Sequence, residues 1–224
     1  HAPIVWTPDL AYAVGLIATD GCLVGDGRHV ALVSKDRDLV ETLLRCVGAR
    51  AKIGVTKSGL GRWHFRAQIG DVVLYRWLLT IGLTPWKSLT LGALGVPEHL
   101  LPHLVRGLLD GDGTILNRVN RADTSRRDDY YWECLQVKFA SASLDHLRWL
   151  RERLRSALGI EGYLRTETGR PGRHPLSVLR YGKRASVVLL PWLYRDGATE
   201  RLDRKWRIWS AYVQRSEAAP SSGT

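Results

Sequence analysis

The sequence lacks, or is short of, several features that mark whole classes of protein. It contains no methionine and only three cysteines, Cys22, Cys46 and Cys134, none of which forms a C-x-x-C pair. A zinc knuckle and a dithiol redox site are therefore not indicated, and an odd number of cysteines in apolar surroundings predicts reduced thiols. No apolar run reaches the roughly 18 residues of a membrane span, and no signal-peptide pattern is present. We therefore expect an intracellular protein without a membrane partner.

Acidic residues are also scarce relative to basic ones. The chain has 33 lysines and arginines against 22 aspartates and glutamates, which gives a formal net charge of +11. A surplus of this size favours a polyanionic partner, of which nucleic acid is the usual one, although charge alone leaves an ordinary basic protein open. Because 45% of the residues are apolar and occur throughout the chain, we expect a substantial core.

Helix and strand signals occur twice in the same order. Thr7 and Pro8 predict the start of a helix that ends at Asp20-Gly21. The elements predicted after it are strands 22–24 and 28–34, helix 37–47, strands 51–57 and 62–69, and helix 72–81. The second set comprises helix 97–111, a strand within 130–141, helix 144–158, strands 162–168 and 174–181, and helices 187–193 and 200–213. The order αββαββα is thus doubled.

Matching sequence details favour an internal duplication. The pattern Val-Val-Leu-x-x-Trp occurs at 72–77 and again at 187–192, each time after a glycine that ends a predicted strand. Two Asp-Gly helix ends, at Asp20 and Asp112, lie 92 residues apart, close to half the length of the chain. We therefore predict a first half at 1–96, a second half at 97–215 and, from its proline, serine and glycine content, a disordered tail at 216–224.

The two Asp-Gly helix ends carry the strongest functional signal. Each follows an apolar helix with small residues at i and i+4. These small residues are Gly15, Thr19, Gly107 and Gly111. Such a stripe lets two helix backbones approach closely, so we expect the two helices to pack together and to bring Asp20 and Asp112 side by side. Two adjacent carboxylates repel unless a cation lies between them, and hard oxygen ligands favour Mg²⁺.

Two other interpretations of these helix ends fit less well. A lone Asp-Gly helix end is usually only a turn, but two copies at duplicated positions in a strongly basic chain favour a site. The segment Asp110-Gly111-Asp112 begins like a calcium-binding loop. However, its sixth position is Ile115 and its twelfth is Arg121, where such a loop requires glycine and glutamate.

Segments 13–21 and 105–113, together with the doubled αββαββα order, resemble the LAGLIDADG homing endonuclease family in its single-chain, double-motif form. The resemblance extends over nearly the whole chain, to about residue 213. It implies that Asp20 and Asp112 are the catalytic acids that bind the metal. It also implies that Thr19 and Gly111, which precede them, offer backbone carbonyls near the metal.

The resemblance implies further roles around these acids. An ancillary lysine is expected near each one, Lys87 and Lys205, to hold a phosphate oxygen or to tune the attacking water. The sixth motif position, largely structural in the family, is Asp110 in the second motif and Ala18 in the first. Many relatives carry a glutamine at the end of the second strand, where this chain has Ser34, so the water-positioning group of the first half stays open.

The fold implied by the resemblance is α+β, with two pseudo-symmetric αββαββα halves packed through the motif helices to form a concave antiparallel β-saddle. The implied activity is metal-dependent hydrolysis of both strands of a long, non-palindromic double-stranded DNA target, leaving short 3′ overhangs. Mg²⁺ is the expected cofactor, with Mn²⁺ substituting and Ca²⁺ binding without supporting cleavage. The active unit is expected to be a monomer in the compartment that holds the host DNA. The alternative is a non-cleaving nucleic-acid binder, such as an intron RNA maturase or a transcription regulator.

Polar strand faces are the predicted DNA-reading surface. Strand 62–69 alternates, which places Arg62, His64, Arg66 and Gln68 on one face and the apolar residues, beginning with Trp63, on the other. Long planar donors on a twisted antiparallel ribbon can enter the major groove. With a phosphate-gripping loop at 118–129, the predicted DNA contacts are Arg28, Ser34, Lys35, Arg62, His64, Arg66, Gln68, Arg118, Arg126, Gln136, Lys138, Arg165, Glu167 and Arg180.

Overall fold

The structure, a computed structural model that describes residues 3–57, 61–121, 131–167, 174–195 and 199–218, has the doubled element order predicted from the sequence. The first half contains α1 (Pro8–Thr19), β1 (Gly21–Leu23), β2 (His29–Ser34), α2 (Arg37–Cys46), β3 (Gly54–Lys57), β4 (Trp63–Gly70), α3 (Val72–Thr80) and α4 (Lys87–Thr90). A 3₁₀ turn (Glu98–Leu100) leads into α5 (Leu101–Asp110), β5 (Thr114–Arg121), β6 (Tyr131–Ser141), α6 (Leu144–Leu158), β7 (Tyr163–Glu167), β8 (Leu176–Tyr181), α7 (Lys183–Leu193) and α8 (Asp203–Ala218).

The first motif helix, α1, lies in the interior. The Thr7 hydroxyl accepts a hydrogen bond from the Leu10 backbone N–H at 3.1 Å, and Pro8 occupies the first turn, where its missing N–H has no consequence. Residues 10–18 of α1 are all buried. A helix that is apolar on every side must be covered on every side, and α1 is packed against α5, α2, β1 and β2.

Each half contributes one four-stranded antiparallel sheet, and the two sheets have the same topology. The strand orders are β1-β2-β4-β3 and β5-β6-β8-β7. Register places Val30 opposite Ile69 in the first sheet and Val137 opposite Tyr181 in the second. Four residues further along β2 and β6, these registers bring Ser34 and Ser141 to equivalent positions. The predicted α+β fold class is confirmed.

The two halves share one hydrophobic core across the α1–α5 contact. Buried side chains run from Leu10 in α1, through Leu104 in α5, to Tyr212 in α8. On the outside of the second sheet, α6 contacts β6, β7 and β8, and α7 contacts β6 and β8. Across the ranges that the structure describes, no helix is both long and apolar enough to cross a membrane.

Several predicted boundaries need correction. Helix 97–111 is divided into a 3₁₀ turn and α5, and α7 begins at Lys183, four residues before the predicted start. Arg118 lies in strand β5, not in a loop, because β5 pairs with β6 as far as Arg121. α8 continues to Ala218, past the predicted start of the tail at 216. Arg126 lies outside the described residues.

Candidate metal and nucleic-acid site

The small residues of the motif helices bring the two backbones into direct contact. A methyl group added to Gly15 would lie 2.8 Å from Cα of Gly107, and one added to Gly107 would collide with the carbonyl oxygen of Tyr12. A methyl group on Gly111 would overlap the Thr19 side chain. No β-carbon fits at these positions, so the predicted close helix crossing is confirmed and its ends are fixed relative to each other.

At the ends of the crossing helices, Asp20 and Asp112 line the same cleft, which has a volume of about 380 Å³. Asp20 is the C-cap of α1, and its backbone N–H donates to the Leu16 carbonyl at 3.0 Å. Burial and, after it, the neighbouring Asp112 carboxylate raise the pKa of Asp20 to about 6, against the opposing effect of Lys205 and Lys87. The predicted pairing of the two acids is therefore present.

The donor set of this cleft fits a magnesium ion. Two carboxylates converge there, and the ionised state of Asp20 is disfavoured in the ion-free protein. Within the described part of the chain, no third His, Cys, Asp or Glu completes a metal-binding cluster. Mg²⁺ commonly takes one or two protein carboxylates and fills its remaining positions with water and phosphate oxygens, so a two-acid site suits it better than calcium or zinc.

Lys205 lies at the end of the second motif helix, and its ammonium group points at the backbone there. Its Nζ donates to four backbone carbonyl oxygens, at distances between 2.6 and 3.0 Å. The acceptors are Leu109, Asp110, Gly111 and Gly113. Lys205 is 3% exposed, and burial lowers its pKa to about 8. Since an ammonium group has three N–H donors, all are engaged by the last turn of α5 and the residues after it.

Lys87 occupies the corresponding place at the end of the first motif helix, but with fewer contacts. Its Nζ donates to the Thr19 carbonyl oxygen at 3.3 Å. Among the residues that the structure describes, this is its one hydrogen-bond partner, which leaves donors available to a ligand. Lys87 is buried, and burial lowers its pKa. Like Gly111, Thr19 thus presents a carbonyl oxygen already contacted by a lysine.

Two clefts lie at the acid pair, the first lined by both acids and the second by Asp112. The first cleft is lined by Asp20, Ser34, Lys35, Asp36, His64, Gly111, Asp112, Thr114, Arg204 and Lys205. The second cleft is lined by Ala18, Thr19, Lys87, Ser88, Leu91, Asp112, Ala140, Ser141, Ala142 and Leu176. Each cleft therefore combines the lysine of one half with the end of an inner strand, β2 or β6, of the other half.

Contacts between the two halves also hold the lysine-bearing segments in place. Arg204, beside Lys205, makes a bidentate contact of 2.8–3.1 Å with Asp36 at the N-cap of α2. After α4, which carries Lys87, the Leu91 carbonyl accepts from Ser143 Oγ at 2.5 Å and the Gly92 carbonyl is paired with His146 Nδ1 at 2.9 Å. Both Ser143 and His146 belong to the second half, so each lysine segment is fastened to the opposite half.

Sequence reasoning missed Asp36, although its position just before an amphipathic helix marked it as a cap. It also assigned Ser34 to the DNA surface, whereas this side chain is buried and its hydroxyl accepts from the Asp36 N–H at 3.2 Å. Ser141 makes the equivalent contact with the Ser143 N–H at 3.1 Å. Ser34 thus shapes the first cleft and does not project from it.

The predicted alternation of β4 holds over its second part. Arg66 and Gln68 are exposed and joined by a 2.7 Å hydrogen bond, while Ala67 and Ile69 are buried. Trp63, at the start of the opposite face, is 65% exposed, and the Lys57 ammonium lies 5.2 Å from its ring centre.

The remaining predicted DNA contacts lie on both halves. Arg28, Lys35, Arg62 and Arg118 are exposed, and His64 and Gln136 are half-buried. In the second half, Lys138, Arg165, Glu167 and Arg180 line one groove. Tyr163, which was not predicted, lies in the same groove, with the Arg180 guanidinium 5.4 Å from its ring centre. Its position at the start of the strand that carries Arg165 and Glu167 was the sequence feature that could have predicted it.

No protein-family model and no curated protein sequence matches the chain. Solved structures do match it over nearly its whole length. The meganuclease I-SmaMI bound to uncleaveable DNA aligns with a TM-score of 0.60 at 14% identity, over 93% of this chain and 90% of that one. The homing endonuclease I-WcaI bound to its DNA recognition sequence gives 0.57 at 9% identity, over 90% and 87%.

A third similar structure is the N-terminal LAGLIDADG domain of DUF199/WhiA, with a TM-score of 0.55 at 15% identity, over 89% of this chain and 88% of that one. At these identities the matches show the fold alone. The chain therefore has the two-sheet LAGLIDADG fold, which is shared by proteins named as endonucleases and by one that is not.

Proposed function

We propose that this protein is a metal-dependent DNA endonuclease that acts as a monomer and cuts both strands of a long, non-palindromic site. The observation that carries the proposal is the convergence of Asp20 and Asp112 in one cleft at the ends of two helices without room for a β-carbon between them. Burial and the neighbouring Asp112 raise the pKa of Asp20 to about 6, and a bound cation would relieve both effects.

In this proposal, Asp20 and Asp112 hold Mg²⁺, and the carbonyl oxygens of Thr19 and Gly111 lie beside it. The ion, when bound, supplies Lewis-acid polarisation of the scissile phosphate and charge stabilisation. Lys87 has donors that face its cleft and is suited to hold a phosphate oxygen. Lys205 has its donors engaged by the chain, so its role is to hold the Gly111 carbonyl and the end of α5 in place.

The exposed polar strands are the proposed DNA-contacting surface. Arg66 and Gln68 on β4 offer planar donors for base edges, and Arg180 on β8 offers a third. The net charge of +11 predicts several phosphate contacts. The logarithm of the binding constant should therefore fall with the logarithm of salt concentration by about 0.9 for each contact. A nearly flat salt dependence on duplex DNA would remove the basis for the proposal.

Cleavage is tested with a duplex library of randomised sequence, from which cut molecules are recovered in Mg²⁺ and sequenced at both ends. We expect non-palindromic sites with short 3′ overhangs, because the two halves carry different strand faces. Mn²⁺ should support cutting, and Ca²⁺ should support binding alone. Asp20→Asn and Asp112→Asn remove a ligand charge at nearly constant shape, so each variant should bind a recovered site and fail to cut both strands.

A non-cleaving binder would give a different result from the same experiment. It would enrich a sequence in the bound fraction, with steep salt dependence, while Mg²⁺ and Mn²⁺ produced no ends above the background of the Asp20→Asn variant. That outcome would favour a regulator or maturase and reject the endonuclease. Sedimentation of the complex tests the oligomeric state, since two chains on one duplex would contradict a monomer.

A further inference from the structure

Asp110, at the end of α5, is a fully buried acid that the cleft does not use. Its Oδ2 atom accepts hydrogen bonds from the Tyr12 hydroxyl at 2.9 Å and from the Leu202 backbone N–H at 2.7 Å. Asp110 precedes Asp112 by two residues, yet it does not line either cleft. One of its contacts is with α1 and the other is with the chain that leads into α8.

The Leu202 N–H lies at the N-terminal end of α8. The Leu202 carbonyl accepts from the backbone N–H groups of Lys205 at 2.9 Å and Trp206 at 3.1 Å, so Leu202 opens the first turn. A carboxylate that accepts from the N–H groups at a helix start acts as an N-cap and favours the positive end of the helix dipole. Asp110 therefore caps α8 from a different helix, and Lys205 lies within the capped turn.

Other hydrogen bonds fix the chain just before Leu202. Arg106 on α5 donates to the Leu193 carbonyl at 2.6 Å and to the Glu200 carbonyl at 2.7 Å. The Glu200 carboxylate in turn pairs with Arg45 on α2 at 2.5 Å. Asp110 supplies the next fixed point along the chain, at the turn that carries Lys205.

We propose that Asp110 is a positioning residue which, by capping α8, holds Lys205 against the end of the second motif helix and so sets up cleavage of one of the two DNA strands. The part that concerns cleavage rests on the function proposed above. The first half has Ala18 at the matching position, and α4 begins without a side-chain cap. Loss of the cap should therefore affect one site and not the other.

The first test needs neither metal nor DNA. The reactivity of Lys205 with acetic anhydride, followed by mass spectrometry of the purified protein, reports how firmly its Nζ is held. Asp110→Ala should raise the acetylation rate of Lys205 about tenfold, in line with the loss of a helix cap. Asp110→Asn retains an acceptor oxygen for the Leu202 N–H and should stay near the wild-type rate. Lys87 serves as the internal reference, with an unchanged rate in both variants.

The second test uses a recovered duplex labelled on either strand. Asp110→Ala should slow the cutting of one strand about tenfold and cause a nicked intermediate to accumulate. The affected strand should be the one slowed by Lys205→Met and not the one slowed by Lys87→Met. Leu154→Ala, which opens a cavity on α6, is the control for general destabilisation and should not discriminate between the strands.

If Asp110→Ala does not fold, Tyr12→Phe/Asp110→Leu replaces the buried polar pair with apolar groups of similar volume and still lacks the cap. Unchanged Lys205 reactivity in a folded variant without the cap would overturn the positioning role. Equal slowing of both strands would overturn the strand assignment. Absence of cutting by the wild-type protein would instead reject the proposed endonuclease, and the acetylation result would still decide whether Asp110 positions Lys205.

Discussion

The two halves of the molecule have the same framework but surround their acids differently. Sheet order and register agree, and Ser34 and Ser141 make the same contact with the start of the following helix. The hydrogen bonds of the two lysines differ. Lys205 contacts four carbonyl oxygens at the end of α5, whereas Lys87 contacts the carbonyl of Thr19. The two halves thus share a scaffold, while the surroundings of their lysines differ.

The strand faces differ in the same way. Where β4 presents His64, Arg66 and Gln68, β8 presents Leu176, Val178 and Arg180 at the matching places. A bidentate base contact contributes roughly 1–3 kcal/mol of discrimination, so unlike faces cannot read identical half-sites equally well. Pseudo-symmetry of the fold and asymmetry of the surface are compatible, because the surface side chains take no part in the shared core.

The largest effect is expected where the halves are most alike, at the helix crossing. Gly107→Ala places a methyl group against backbone atoms of α1 that cannot move independently. We expect a loss of about 3 kcal/mol in the free energy of unfolding. Gly15→Ala meets the same obstacle from the other side and should lose a similar amount, measured by urea unfolding.

Gly25→Ala is the matched control for these variants, since a methyl group there meets no atom within 4 Å. Its stability should stay within about 0.5 kcal/mol of the wild type. If Gly107→Ala were as stable as this control, the direct contact of the two backbones would be wrong.

The crossing and the acid pair were predictable from the sequence because small residues at i and i+4 constrain a helix surface directly. The four-carbonyl environment of Lys205 was not, because it depends on Arg106 and Asp110 holding a loop that is distant in sequence. The start of α7 was missed since Lys183 and Arg184 interrupt the apolar pattern that marks the helix. Periodicity predicts local elements, whereas contacts between loops and helix ends depend on tertiary packing.

The lysine comparison predicts unequal losses of stability. Lys205→Met leaves four carbonyl oxygens without their donor, in a site with little access to water. We expect a loss of about 2 kcal/mol, because unpaired buried polar groups carry their full desolvation penalty. Lys87→Met removes one long hydrogen bond and a buried charge, and should change stability by less than about 0.5 kcal/mol.

Urea unfolding in EDTA measures both lysine variants without interference from bound metal. The difference between them is the informative quantity, as both substitutions introduce the same side chain. Equal losses would mean that the two lysine sites are energetically symmetric, contrary to their contacts.

The acids should also differ in their effect on pH dependence. The pKa of Asp20 is raised to about 6, first by burial and then by Asp112, so the stability it contributes is complete below about pH 4 and is lost as the pH rises through 6. Asp20→Asn removes the titrating carboxyl group itself and should reduce the loss of stability between pH 4 and 7 by about 2 kcal/mol. Asp112→Asn removes only the repulsion from the second carboxylate and should reduce this loss of stability by about 1 kcal/mol.

These pH profiles are compared in EDTA, where Asp110, whose pKa is also raised to about 6 by burial, contributes equally to the wild type and both variants. Mg²⁺ at pH 7 should stabilise the wild type and neither variant, since binding to the folded state adds to stability. If stability depended less on pH in Asp112→Asn than in Asp20→Asn, Asp112 and not Asp20 would be the acid with the larger contribution to the pH dependence.

The smallest effect is expected where the chain enters the first lysine segment. Trp86, directly before Lys87, has a φ of 63° and a ψ of 21°, a left-handed conformation that is unfavourable for a bulky residue, and its side chain is 85% exposed. Lys205 in the second half is preceded by Arg204 in regular helix and has no such strain. Trp86→Gly should therefore raise the free energy of unfolding by about 1 kcal/mol relative to Trp86→Ala, because glycine adopts positive φ without a steric penalty. Both variants lose the ring, so their difference in urea unfolding isolates the backbone. If Trp86→Gly were no more stable than Trp86→Ala, the first lysine would be held without strain, and the entry to Lys87 would not distinguish the halves.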